Sequence, residues 1–493
     1  MYKLLFSLFF ILIINSSFSQ TYNKEAISKV KKAITQLNSD PYLNHALLGF
    51  CVMDVKNNKV LVELNSEKSI TPASSLKIVT TSSALMMLGK DYRFKTYLEY
   101  DGDISSNGTL NGNIYIRGGG DPTLGIDRRK GIATYNRVFS EFAEIIIQKG
   151  IKKINGQIIA DAEIFNDSYV PNAWTWEDMG NYYGAYPTGL CINENSYRIN
   201  FKSGKENGPT EILRITPEIP NVTVCNYVKS GNMLIGDEAV IFSPPYNNII
   251  EIRGAIPPNR NGYELKGSIP DPPYFCAYYL TNALKSKGVS ISEIPTTFRV
   301  YKSKNHEIKE RKLLKVLYSE SLQNIVFWTH LKSINLYAEN ILKIISYEKK
   351  GYGNTATGCE LLKNFWRSKG VNVFGVNIED GSGLSRKTTI TTKFHCDLLR
   401  EVAKDPIAYD AFNKTLPVAG KSYGLQGMCK GTRAEGNMRC KSGYMTRIRS
   451  YAGYINAKDG SLLAFSIIVN NYNCSAPEMR RKMSYVLALL GEI

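Results

Sequence analysis

The chain has 493 residues, 43% hydrophobic and 21% charged, which is enough to bury a large core in two or more domains and excludes a disordered or repetitive protein. Its 61 Lys and Arg outnumber 44 Asp and Glu, for a formal charge of +17. That excess draws anionic wall or lipid surfaces, or is simply a solvated basic surface, and no nucleic-acid-binding motif accompanies it.

In chain order, Met1-Tyr2-Lys3, the apolar run Leu4 to Ile14 and the small polar stretch Asn15 to Gln20 have the layout of a secretory signal over residues 1–19, cleaved near Ser19. The run is short for a membrane span, no cysteine follows it to carry a lipid, and no other stretch is long and apolar enough to cross a bilayer. A mature chain outside the cytoplasm is expected, soluble in the periplasm if the cell has two membranes. Nine cysteines suit an oxidising compartment, and their odd number leaves at least one unpaired.

Glu25 to Leu37 sets Ala26, Val30, Ala33 and Leu37 on one helix face. Leu48 to Asp54 and Val60 to Leu64 read as a hairpin around Lys56-Asn57-Asn58-Lys59. Pro72-Ala73 then precede a buried helix that starts at Ser74 and stops at Gly89. From about Tyr97 to about Val300 the chain is rich in short β-like runs and turns, among them Gly112 to Arg117 and Ile154 to Asp161, and reads as one or two inserted β-rich domains. Gly118-Gly119-Gly120 reads as a turn, since no Gly-Lys-Ser/Thr follows to make a phosphate cradle. Arg439 to Met445, Ser450 to Ile455 and Leu462 to Val469 read as strands and Pro477 to Leu490 as a closing helix, so the two ends of the chain share one sheet.

Three short motifs carry chemistry: Ser74-Ser75-Leu76-Lys77, Ser333-Ile334-Asn335 and Lys441-Ser442-Gly443. A serine hydroxyl needs a base to act as a nucleophile, and a lysine three residues on lies beside it on a helix. Lys77 must lose its proton for that role, which burial and a second cation nearby would favour; Lys441 is the candidate neighbour. At a helix N-terminus the free N–H groups and the dipole also favour the oxyanion of acyl transfer. The alternative for Ser74 is an ordinary N-cap serine. None of the four histidines, His45, His306, His330 and His395, sits in a nucleophile or metal motif, no Cys-x-x-Cys spacing occurs, and no metal or organic cofactor is implied. Cys429 and Cys440 flank Lys430 to Arg439; a bridge there would stiffen the strand carrying Lys441, the alternative being two small buried thiols.

The motif set resembles that of penicillin-binding proteins and β-lactamases. Pro72 to Lys77, Gly118 to Leu124, Asp380 to Arg386 and Leu416 to Gly420 narrow the resemblance to the D-alanyl-D-alanine carboxypeptidase/endopeptidase family, the class C low-molecular-mass (type-4) penicillin-binding proteins, from about Leu47 to about Asn471. The resemblance implies an α+β fold: a β-lactamase/transpeptidase-like domain, an antiparallel sheet flanked by helices, over 20–96 and 301–493. Its two nested insertions would then occupy 97–162 with 264–300, and 163–263.

The resemblance implies catalytic Ser74, Lys77, Ser333, Asn335 and Lys441, with Ser442, Gly443 and Tyr444 along the substrate. The substrates would be peptidoglycan stem peptides, with β-lactams as covalent inhibitors; oligomeric state is left open. Ser442 stands where the family usually has threonine, Tyr444 where a small hydroxyl residue is common, and Ile334 where aspartate is frequent. Trp174-Thr175-Trp176-Glu177-Asp178 resembles the segment whose aspartate binds the amine of a diaminopimelate side chain, and Arg386 the arginine that meets its carboxylate. The plainer alternatives are a core tryptophan pair with a surface carboxylate, and a structural salt-bridge arginine. Glu360-Leu361-Leu362-Lys363-Asn364 loosely resembles the Glu-x-x-Leu-Asn segment that supplies a deacylation base in one class of β-lactamases. A β-lactamase and a non-catalytic wall-binding protein are the competing readings.

Overall fold

The computed structural model describes residues 22–493 apart from 128, 130, 166–169, 235 and 237; the signal segment expected over 1–19 lies outside the described residues. Helix α1 (Lys24–Asn38) starts where the Asn23 side chain accepts the Ala26 N–H, and buries Ala26, Val30, Ala33, Ile34 and Leu37 along one stripe. Strands β1 (Leu47–Asp54) and β2 (Lys59–Leu64) form the expected hairpin. Helix α2 (Lys77–Leu88) ends at Gly89, whose φ of 86° favours glycine.

The far end of the chain supplies β3 (Arg439–Met445), β4 (Ile448–Asn456) and β5 (Leu462–Asn470), and the sheet order is β3-β4-β5-β1-β2, all neighbours antiparallel. Both ends therefore build one sheet, with β1 at its centre joined to β5. Alternation along the strands divides two cores. Cys51, Met53, Ala452, Tyr454, Ala464 and Ile468 face a helical layer containing α2, α3 (Leu322–Lys332), α4 (Asn335–Lys350) and α5 (Thr392–Ala403). Phe50, Val52, Tyr451, Leu463, Phe465 and Ile467 face α1 and α6 (Ala476–Ala488). Each large apolar side chain so buried contributes about 1.5–3 kcal/mol relative to exposure.

Between α2 and α3 the described residues form further sheets with a core of their own, including Ile114, Phe142, Ile158, Tyr197, Ile252 and Phe275. The excursion begins and ends in one of them, where Lys95–Tyr100 pairs antiparallel with Lys312–Tyr318. The β-rich reading misses the long helices Tyr135–Gln148 and Pro272–Ser286, whose faces pack into that core. Gly118 closes a strand and Gly120 turns at φ 83°, as expected of a turn.

All nine cysteines are free thiols, and Cys429 and Cys440 are both buried. The bridge considered between them is absent, and the alternative of two small buried thiols holds. Strand β3 is held instead by its pairing with β4 and by the Cys440 N–H, which donates to the Pro417 carbonyl at 2.9 Å. No helix of the described residues is long and apolar enough to cross a membrane.

Candidate active site

Ser74 does not open an α-helix directly. Residues Ala73–Leu76 form a 3-10 turn, entered through Ala73 at φ 48°, and α2 takes over at Lys77. Pro72 is the cap of that turn, without a side-chain hydrogen bond, so Ser74 is not the N-cap serine of the alternative reading. Its Oγ accepts from Lys77 Nζ at 2.8 Å.

Lys77 is fully buried and donates twice more, to Asn335 Oδ1 at 2.6 Å and to the Ser382 carbonyl at 2.8 Å. Burial holds its pKa well below the ordinary lysine value and the Lys441 charge adds to that, while Asp380 and Glu339 pull the other way. Lys441, also buried, is brought down to about 7, chiefly by desolvation. Lys77 is thus biased toward the neutral form, which can take a proton, while Lys441 keeps part of its charge near neutral pH.

Ser333 and Asn335 reach the site because the chain breaks between two helices. Ser333 ends α3 in the left-handed region, at φ 57° and ψ 37°, and Asn335 begins α4. Ile334 between them packs against the helical core. Ser333 Oγ accepts from Lys441 Nζ at 2.9 Å, and Asn335 Nδ2 donates to the Tyr183 carbonyl at 2.8 Å. Lys441 also reaches the Ser442 carbonyl at 2.6 Å. Gly443 lets β3 press against the nucleophile turn, and Ser450 on β4 fixes that contact by donating to the Pro72 carbonyl at 2.5 Å. The five residues of the three motifs expected to be catalytic are therefore brought together.

A cavity of about 740 Å³ opens over them, lined by Ser74, Ser333, Asn335, Ser442 and Tyr444 and also by Asp178 and Arg386. Asp178 caps a short helix, its Oδ2 accepting the Thr175 N–H at 3.0 Å and the Thr175 hydroxyl at 2.6 Å, and Arg386 approaches the same oxygen at 3.4 Å. The carboxylate is buried, not on the surface, and the tryptophans are not a core pair: Trp174 is buried, whereas Trp176 is exposed and stacked on Phe242.

Two carboxylates beneath the base were not singled out from sequence. Glu339 accepts the N–H groups of Gly381 at 2.9 Å and Ser382 at 2.8 Å, and the Ser382 carbonyl in turn meets Lys77. Asp380 accepts from Trp174 Nε1, the Ser385 N–H and the Gly383 N–H. Burial, reinforced by Asp380, raises the Glu339 pKa. The available signal was an acid four residues after Asn335, on the same helix face.

Buried His330 bonds to Thr81 and Thr415, and desolvation lowers its pKa to about 3; it serves packing. Glu360 lies exposed on the helix Thr355–Ser368 and does not line the cavity. Among the described residues no group of three His, Cys, Asp or Glu side chains could hold a metal ion.

The profile of the D-Ala-D-Ala carboxypeptidase 3 (S13) family matches residues 30–490. The chain belongs to this family. As an S13 member it is a serine-type D-Ala-D-Ala carboxypeptidase. It is 25% identical over 472 residues to a D-alanyl-D-alanine carboxypeptidase of Actinomadura sp. (strain R39), covering 92% of this chain and 82% of that one. The crystal structure of penicillin binding protein 4 from Haemophilus influenzae superposes with a TM-score of 0.80 at 20% identity, over 96% of this chain and all (100%) of the other. A structure of that protein complexed with a β-lactam gives a TM-score of 0.74 at 19% identity, covering 94% of this chain and 97% of the other.

Proposed function

We propose that Ser74, Lys77, Ser333, Asn335 and Lys441 carry the family's reaction in this chain, on peptidoglycan stem peptides outside the cytoplasm. Neutral Lys77 takes the proton of Ser74, whose Oγ attacks the carbonyl between two D-alanines. The N–H groups of Ser74 and Tyr444 hold the oxyanion. The amide C–N bond breaks to leave an acyl-enzyme, and Ser333, helped by Lys441, passes a proton to the departing amine. Lys441 and Ser442 bind the terminal carboxylate of the substrate. Water, deprotonated through Lys77 and Ser333, then releases the acyl group.

The observation that carries this reading is the 2.8 Å contact between a fully buried lysine amine and the Ser74 hydroxyl. Burial supplies the neutral base and the short helical spacing supplies the reach. A β-lactam presents a reactive amide to the same hydroxyl and acylates it in the same way.

On the substrate's side chain, Asp178 would take the amine of a zwitterionic tip and Arg386 its carboxylate; their 3.4 Å approach in one cavity supports a paired role. The test is D-alanine release from a pentapeptide ending in D-Ala-D-Ala. Wild type releases it and Ser74→Ala does not; release by Ser74→Ala at the wild-type rate would sink the assignment.

A further inference from the structure

A second groove, of about 420 Å³, adjoins the active-site cavity, and Tyr182, Tyr183 and Lys266 line both. It is lined further by Val240 and Glu264, from the strands Val240–Phe242 and Asn261–Ser268, each at the edge of its sheet. Tyr182 is 56% exposed, a large ring open to water where the two cavities meet, and Lys266 Nζ lies 5.9 Å from its centre. The Glu264 carboxylate holds Lys266 at 3.7 Å and Arg198 at 3.4 Å, and Glu238 stands exposed along the same groove. The groove thus offers an aromatic face surrounded by donors and acceptors of both signs, not a patch of one charge. An uncharged polyhydroxyl ligand suits that mixture. The C–H face of a sugar ring lies on the aromatic face, and its hydroxyl and acetamide groups bond to the polar groups around it.

Its position says which part of a substrate it would meet. Tyr182 and Tyr183 follow closely on Asp178 in the chain, and the Tyr183 carbonyl accepts from Asn335 Nδ2. The groove therefore opens on the side of the acyl-donor peptide, beyond the place of its third side chain at Asp178 and Arg386. In a stem peptide only two residues separate that third residue from the amino sugar that bears the peptide, a span of about 7 Å when extended. Little peptide is left to fill the groove, and the sugar comes next.

Resting on the reaction proposed above, we infer that the groove beside Tyr182 is a saccharide subsite, which takes the N-acetylated amino sugar of the glycan strand that bears the acyl-donor peptide. Tyr182 packs against the sugar ring, and Lys266, Glu264 and Glu238 bond to its hydroxyl and acetamide groups. Binding energy gained there, away from the reacting bond, raises kcat/KM for a peptide still attached to glycan over the same peptide free.

The experiment measures D-alanine release from a free pentapeptide ending in D-Ala-D-Ala and from the same pentapeptide on its disaccharide, by the full chain, Tyr182→Ala and Tyr182→Phe. A ratio of the two kcat/KM values from one preparation cancels any loss of folded enzyme. The disaccharide should raise kcat/KM about tenfold in wild type and by as much in Tyr182→Phe, and the gain should vanish in Tyr182→Ala. A third substrate, the pentapeptide lengthened at its amino end by a neutral dipeptide, should gain nothing. Wild type without a preference for the disaccharide, a gain that survives in Tyr182→Ala, or an equal gain from the dipeptide overturns the inference alone. Wild type that releases D-alanine from none of the three overturns the reaction it rests on.

Discussion

Gly443 and Ser74 touch through backbone: a Cβ added to Gly443 would stand 2.9 Å from the Ser74 nitrogen and 2.7 Å from the Pro72 carbonyl oxygen. The third motif is thereby seated directly on the turn that carries the nucleophile, although the whole inserted region separates them in sequence. Gly443→Ala should push β3 off that turn and slow acylation by penicillin about 100-fold, the usual cost of an ångström-scale misplacement. Labelling kinetics with a fluorescent penicillin would measure it, and a wild-type rate would show that the contact is unimportant.

Lys77→Met removes the base and should lower the acylation rate by about 10²–10⁴. Lys77→Arg should not restore it, because a guanidinium keeps its proton. The same labelling assay separates these outcomes, and recovery in the arginine variant would mean that positive charge, not proton removal, is what Lys77 supplies.

The pH dependence follows from the neighbouring amine. A protonated Lys77 cannot act as a base, so activity should rise with pH through an apparent pKa well below the roughly 10.4 of a free lysine. The charge on Lys441 opposes protonation of Lys77. Lys441→Ala removes that opposition, which raises the Lys77 pKa and moves the acidic limb of the penicillin acylation profile to higher pH. A limb that stays in place, or moves to lower pH, would contradict the coupling.

The sheet and the reacting groups were legible because both rest on local signals. Short, nearly continuous apolar runs mark Leu48 to Asp54 and Leu462 to Val469 as strands buried on both faces, and the three-residue step from Ser74 to Lys77 fixes their reach whether the turn is 3-10 or α. Glu339 and Asp380 were not legible as partners. Their roles depend on a long-range contact between α4 and the 380–386 loop, which no spacing in the chain encodes. The helices Tyr135–Gln148 and Pro272–Ser286 were overlooked for a different reason: in a stretch crowded with short β-like runs, turns dominated the reading, though Asp271 and Pro272 mark a helix start. The Cys429 and Cys440 pairing failed because nearness to a motif strand says nothing about where two side chains point.

Glu339→Ala leaves the N–H groups of Gly381 and Ser382 buried without an acceptor, at about 1–3 kcal/mol for each group. Urea unfolding should show that loss, accompanied by slower acylation, since the Ser382 carbonyl positions Lys77. Exposed Glu360→Ala serves as the control and should stay within about 0.5 kcal/mol of wild type. Equal stability of the two variants would remove Glu339 from the support of the base.

The most direct test of the whole account is intact-protein mass after incubation with a penicillin, followed by peptide mapping, for wild type and Ser74→Ala. The account predicts one long-lived adduct, mapped to Ser74 and absent from the variant. An unmodified wild type, or an adduct that persists in Ser74→Ala, would contradict it.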